Sequence, residues 1–138
     1  MKKLFTLLLL FSALSVFIAC SSDDDGSPAG DIIGTWEYHR VGGFVNGNEV
    51  LIPWEHECLN EKDRIEFRSD NTMRIYEYWD DCSQDFDQGT WSLNGNTLTT
   101  NVDGYTQESE IVTLTETTLK LKFDEANTDI ALMEFKRR

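Results

Sequence analysis

Three cysteines, two histidines and 25 Asp plus Glu are the side chains in this 138-residue sequence best suited to chemistry. His56, Glu57 and Cys58 are consecutive, and His39 lies near the start of the first strand-like segment. Imidazole and thiolate make good metal ligands. Two His without ligand spacing are a weak set, however, and a cysteine held in a disulfide has no thiolate to offer. No metal site is assigned. Asp80, Asp81, Asp85 and Asp87 flank Cys82, but they lack the residue order of an EF-hand loop and its turn glycine. A solvated acidic loop is the favoured reading there, with calcium as the alternative. Nucleophilic catalysis needs a Ser or Cys beside a base that a third group orients. Ser69, Ser83, Ser92 and Ser109 have no neighbouring His, and there is no Gly-x-Ser-x-Gly. Glu66 and Glu77 face each other across an expected hairpin only because acids are abundant, which says little about glycoside hydrolysis. The chain is expected to have no catalytic residues and no cofactor, and it is not read as an enzyme.

Composition narrows the partners. A formal charge of −13, from 12 Lys plus Arg against 25 acids, excludes nucleic acid, whose phosphates are bound by clustered cations. A hydrophobic fraction of 40% with 12% aromatics is too high for a disordered acidic chain, and the length suits one domain. The odd number of cysteines means that one thiol of an exported chain is free, intermolecular or modified.

The N-terminus supplies the modification. Met1-Lys2-Lys3 precedes an apolar run from Leu4 to Ala19 interrupted only by Thr6, Ser12 and Ser15, the pattern of a signal peptide over residues 1–19. Sixteen residues fall short of the roughly 20 needed to span a bilayer. The run ends Phe17-Ile18-Ala19-Cys20, which resembles the bacterial lipobox, with Phe17 in place of the usual Leu. By this resemblance Cys20 is the lipidation site and the mature N-terminus. It would carry a diacylglyceryl thioether and an amide-linked acyl chain, enough for stable attachment. Residues 20–30 continue Ser21-Ser22-Asp23-Asp24-Asp25-Gly26 and include Pro28 and Gly30, which reads as an acidic flexible tether. The acidic run also resembles the signal that exports some Gram-negative lipoproteins to the cell surface. The expected location is the outer membrane, lipid-anchored, with surface-exposed and periplasm-facing orientations both open. Loss of Lys2 and Lys3 leaves a formal −15, so the lipid and not the protein surface would hold the membrane.

With Cys20 acylated, Cys58 and Cys82 remain in an oxidising compartment and are expected to pair. The segments Lys62–Arg68 and Met73–Trp79 run out and back between them, returning the chain close to its start. Without a Cys-x-x-Cys, a structural disulfide is favoured over a metal pair or a redox dithiol.

Positioning elements follow from period-two alternation. Arg64–Arg68 and Met73–Trp79 make a hairpin around Ser69-Asp70-Asn71-Thr72. Thr90–Leu93 and Thr97–Val102 make a second around Asn94-Gly95-Asn96. Glu110–Leu114 and Leu119–Phe123 make a third around Thr115-Glu116-Thr117, and Ile130–Lys136 closes the set. Phe44–Ile52 is expected to contribute one further strand. Short strands at regular intervals predict an all-β antiparallel barrel or sandwich. Ile33-Gly34-Thr35-Trp36, Gly89-Thr90-Trp91-Ser92-Leu93 and Leu114-Thr115-Glu116-Thr117-Thr118-Leu119 together resemble the lipocalin-like domain of bacterial lipoproteins over residues 31–138. The resemblance implies a small up-and-down antiparallel β-barrel of about eight strands, with Trp36 and Trp91 in its core. Such a barrel is filled by side chains or holds one small ligand.

Candidate ligand residues are Trp54, beside His56 in an irregular loop, and Tyr76 and Tyr78, which share one strand face while Ile75 and Trp79 share the other. Core packing is the plainer reading of both faces. Two functions from different classes follow. One is a membrane-anchored barrel binding a small apolar or amphipathic ligand; the other is a filled, non-catalytic barrel serving an envelope protein partner. Cys20→Ser should move the protein from the membrane to the soluble fraction with its thermal melt unchanged, measured by fractionation and circular dichroism. Retention in the membrane would refute lipidation at Cys20.

Overall fold

A computed structural model describes residues 32–124 and 131–138; the expected signal peptide, Cys20, the tether and Ile130 lie outside the described residues. Among those described, nine strands follow one another in antiparallel order: β1 (Gly34–Val45), β2 (Asn48–Pro53), β3 (Arg64–Phe67), β4 (Thr72–Tyr78), β5 (Gln84–Asn94), β6 (Thr97–Val102), β7 (Tyr105–Leu114), β8 (Thr118–Phe123) and β9 (Leu132–Arg137). Each strand pairs with its sequence neighbour except β2 with β3. Pairing of β1 with β9, from Trp36↔Arg137 to Gly42↔Leu132, closes eight strands into a barrel and leaves β2 as an extra strand.

Strand β1 is long because it serves three partners. Gly34–Glu37 pairs with β3, whereas Arg40–Val45 pairs with β2 on the same edge, so β2 and β3 follow each other along one side of β1. The register against β9 shifts at His39, a bulge between Tyr38 and Arg40 of the kind that bends a strand. The far half of β1 and β2 thus form a flap beyond the rim. It reaches across β9 to β8, where Lys120 Nζ donates to Glu49 at 2.6 Å and Lys122 Nζ stands 5.8 Å from the Phe44 ring centre. Beneath it Glu134, only 3% exposed, accepts from Arg40 at 2.8 to 3.0 Å and lies 3.8 Å from Lys120. The buried carboxylate is thereby matched by cations, as burial of a charge requires.

The segment Phe44–Ile52, expected to be one strand, is a hairpin. Asn46 and Gly47 take φ of 51° and 78°, the two consecutive positive values of a two-residue turn whose twist suits paired strands. Asp103-Gly104 makes the same kind of turn between β6 and β7. The expected hairpins around residues 69–72, 94–96 and 115–117 are present, with β5 and β7 extending well before the short segments read from alternation.

The core fills one end of the barrel. Trp36 is fully buried and its indole N–H donates to the Ile32 carbonyl at 2.7 Å, while Arg137 lies 4.1 Å over its ring. Gly34 takes a φ of 139°, a conformation that residues with a Cβ rarely adopt, and a Cβ there would also displace the end of the Arg137 side chain, 2.6 Å away at Nη1. Trp91 donates its indole N–H to Arg68 O at 3.0 Å and meets Phe67 edge-on at 5.6 Å. These two tryptophans, with Ile32, Phe67 and Leu119, form a solid floor.

At the opposite end Cys58 and Cys82 are joined, with a Cα–Cα distance of 4.9 Å. The bridge ties the loop after β2 to the β4–β5 turn, as the out-and-back hairpin between them predicts. In the chain-entropy account, closing a loop with a sequence separation of 24 stabilises the fold by about 3 kcal/mol. Cys58→Ser with Cys82→Ser should lower the urea unfolding free energy by about that amount with a steeper slope, because the released unfolded chain exposes more surface. A loss below about 1 kcal/mol would show that the bridge leaves the unfolded chain unconstrained.

Candidate functional site

Above the floor the interior is not filled. A cavity of about 280 Å³ lies between the two halves of the barrel wall. One side is apolar, with Phe67, Met73, Ile75 and Phe135, and the other carries Thr100, Gln107 and Ser109 on β6 and β7. Those polar groups partly satisfy themselves on the sheet: Ser109 Oγ approaches Leu98 O at 3.5 Å and Gln107 donates to Glu108 O at 2.8 Å. The cavity is therefore an apolar space with a few polar groups on one wall, the usual chemistry of a small-molecule site.

Tyr38 stands at its upper end and belongs equally to a second, smaller pocket of about 190 Å³ at the barrel mouth. Its ring centre lies 4.9 Å from Phe135 on the cavity side and 4.9 Å from Trp54 on the mouth side. Burial, followed by the nearby Glu77 and Asp63 carboxylates, pushes its hydroxyl above the ordinary phenol range, so at neutral pH it remains a neutral hydroxyl.

The mouth is built by the disulfide-linked loop. Asp63, 8% exposed, organises it: one oxygen accepts the Trp54 indole N–H at 2.9 Å and the other accepts the Tyr78 backbone N–H at 2.9 Å. His56 Nδ1 accepts the Asp63 backbone N–H at 3.1 Å, so Nε2 carries the proton and donates to Tyr38 O at 3.1 Å. Both ring nitrogens are thus engaged by the backbone, and His56 acts as a strut and not as a ligand. Glu55, Glu57, Glu77 and Trp79 complete the pocket. Burial, then the charges of Asp63, Asp87, Asp85 and Glu57, raises the Glu77 carboxyl above its usual range.

Of the residues anticipated for a ligand, Trp54 and Tyr78 meet at this mouth pocket. Tyr76 does not join them. The interior of β4 is taken by Met73 and Ile75, so Tyr76, one residue on, faces outward. There it donates to Glu66 at 3.1 Å and lies under the Arg64 guanidinium at 4.5 Å. Tyr78, two residues on, is buried at 7% exposure where the strand reaches the mouth, with Arg64 5.1 Å from its ring and its hydroxyl donating to Gln84 at 2.8 Å. Asp81 accepts the Ser83 N–H at 2.8 Å and shapes the β4–β5 turn, while Asp85 and Asp87 stand on β5 opposite Glu77 and Ile75. Sequence reading missed Tyr38, Asp63 and the β6–β7 wall. Tyr38 was within reach, since it lies two residues after the inward-facing Trp36; the role of Asp63 depends on a loop that no periodicity describes.

Residues 32–121 match the family model of the lipocalin-like domain. Among solved structures, a lipocalin-like protein from Bacteroides uniformis ATCC 8492 superposes with a TM-score of 0.59 at 12% identity, over 79% of this chain and 99% of the other. An uncharacterized protein from Bacteroides eggerthii DSM 20697 gives a TM-score of 0.60 at 10% identity, over 78% of this chain and 100% of the other. No curated protein matches. At such identities the structural likeness speaks for the fold alone. By the family match and the closed barrel together, this chain belongs to the lipocalin-like domain family.

Proposed function

We propose that this protein is a non-catalytic lipoprotein, anchored through Cys20 in the outer membrane, whose barrel holds a small apolar or amphipathic ligand. The observation that carries the binding reading is the 280 Å³ cavity above the Trp36–Trp91 floor, lined by apolar and aromatic side chains but for Thr100, Gln107 and Ser109 on one wall. That volume lies near the lower end of the range for small-molecule pockets, which favours a compact ligand or one narrow chain. The lipobox resemblance at Phe17-Ile18-Ala19-Cys20 supports the anchor, and the Asp23–Asp25 run is compatible with a surface-exposed or a periplasm-facing orientation. An envelope protein partner is the second reading. The flap favours it, because Val45 at the end of β1 is 57% exposed and Val50 and Ile52 are 45 and 61% exposed on β2, whose outer edge is unpaired among the described residues.

Val102 lines the cavity, so Val102→Trp should occupy the space a ligand needs. Titration with the apolar fluorophore N-phenyl-1-naphthylamine should show saturable binding to the wild type and a loss of at least about tenfold in the variant, with the sheet signal in circular dichroism retained. Native mass spectrometry of the wild-type protein should show a co-purifying small molecule. Equal binding by both proteins would place the fluorophore elsewhere and remove the cavity from the proposal.

A further inference from the structure

The mouth pocket combines features that a purely apolar ligand would not use. Its aromatic surface comes from Tyr38, Trp54 and Trp79, Tyr78 already having Arg64 against its ring. Its carboxylates are Glu55, Glu57, Asp63 and Glu77, and no Lys or Arg lines it. Asp63 is consumed in holding Trp54 and Tyr78. Among the described residues, no cation stands within ion-pair distance of Glu55, Glu57 or Glu77. Some acids elsewhere on the barrel are answered by nearby bases, Glu134 by Arg40 and Lys120, Glu37 by Lys62 and Glu66 by Arg68. What sets the mouth apart is that its unpaired acids share a pocket with aromatic rings.

These glutamates are exposed, but the Glu77 carboxyl is raised by partial burial and by its acidic neighbours, and a cation beside it and the aromatic rings would be favoured. A metal ion is a poor fit, because among the described residues no three His, Cys, Asp or Glu side chains stand close enough to hold one. An organic ammonium fits better. Its charge is spread over methyl or methylene groups, it is attracted to the faces of Trp and Tyr, and it tolerates carboxylates at a distance without an inner coordination shell. The pocket volume of about 190 Å³ suits such a head group. Tyr38 lines both this pocket and the barrel cavity, so the two spaces adjoin at its ring, and a head in the first and an apolar tail in the second would meet there.

We infer that the ligand class of this barrel is an amphipathic organic ammonium, its head held among Tyr38, Trp54, Trp79, Glu57 and Glu77 and its tail in the cavity. The inference rests on the ligand-binding reading of the cavity given above. An anionic amphiphile, such as a fatty carboxylate, would meet the same acids and be repelled. The negative net charge, −13 for the full sequence, attracts cations to the protein as a whole and strengthens their binding at low salt.

Three probes of equal chain length separate charge from apolarity: dodecyltrimethylammonium, dodecanol and dodecanoate, each titrated calorimetrically below its micellar concentration into the mature chain. The ammonium should bind about tenfold or more tightly than dodecanoate, with dodecanol between them, as one cation–π contact plus nearby charge implies. In a Glu57→Gln and Glu77→Gln double variant the ratio of ammonium to alcohol affinity should fall to about threefold or less, and raising salt should lower that ratio in the wild type. Equal affinity for the three probes, or tighter binding of the carboxylate, would overturn the ammonium assignment while leaving the cavity reading intact. Binding of none of them would overturn both. A double variant that keeps the full wild-type ratio would show that the preference arises away from these acids and would also refute the assignment.

Discussion

Strand β1 is the element on which the architecture depends, because its hydrogen bonds do three jobs at once. Along one edge it pairs with β9 and closes the barrel; along the other it pairs first with β3 and then with β2. Without the β9 pairing, the curved sheet has two open edges and its interior faces water. The bulge at His39 separates the functions. Before it, Trp36 points into the floor and Tyr38 into the cavity; beyond it, Arg40 meets Glu134 on the outer face and the strand leaves the rim as a flap. A regular strand of the same length could not serve the floor and then curl over β9 toward Lys120 and Lys122.

The floor and the mouth are stabilised by different physics, and this division is what makes a site. The floor relies on apolar burial around two tryptophans whose indole N–H groups are satisfied by backbone carbonyls, so no polar cost is left inside it. The mouth has little apolar area to bury. It is held instead by a covalent bridge and by a chain of specific hydrogen bonds running Tyr38 O, His56, Asp63 N–H, and then from the Asp63 carboxylate to Trp54 and Tyr78. Cys58 and His56 sit two residues apart, so the disulfide anchors the same loop that the imidazole props. Those devices hold Trp54 against Tyr38 without filling the space below.

Much of this was legible in sequence, for identifiable reasons. Alternation marks a strand when one face is apolar and the other wet, and Ile65 with Phe67, or Leu119 with Leu121, satisfy that rule on a barrel wall. The cysteine pairing was legible because the intervening hairpin is short and regular. The flap was not, because Phe44, Val45, Val50 and Ile52 are apolar yet exposed; the run reads as one strand unless Asn46-Gly47 is allowed to interrupt it. The orientation of β4 was ambiguous for the opposite reason. Tyr76 and Tyr78 are large aromatic residues that suit an interior as well as a surface, and only contacts with Arg64 and Glu66 decide the matter. Of the mouth, Trp54 was visible as an aromatic residue in a loop, whereas the partnership of Asp63 with it comes from tertiary structure that periodicity does not encode.

The cavity itself has a thermodynamic meaning. A barrel of eight strands is just wide enough for side chains to fill, and in its lower half this one is filled. Above Phe67 and Met73 the β6–β7 wall carries Thr100 and Ser109, side chains too short to reach the opposite strands. At roughly 24 cal/mol per Å³, emptiness on the scale of 280 Å³ costs several kcal/mol as an upper bound, since water entering from the mouth recovers part of it. Total domain stability is only about 5–15 kcal/mol, so the loss is a sizeable fraction. Longer apolar residues at two wall positions would remove much of it. A void retained beside a mouth of uncompensated carboxylates combines two local departures from stable packing at one place, and such coincidences mark sites where structure serves binding more than stability. A ligand that brings a chain and a positive charge would relieve both at once.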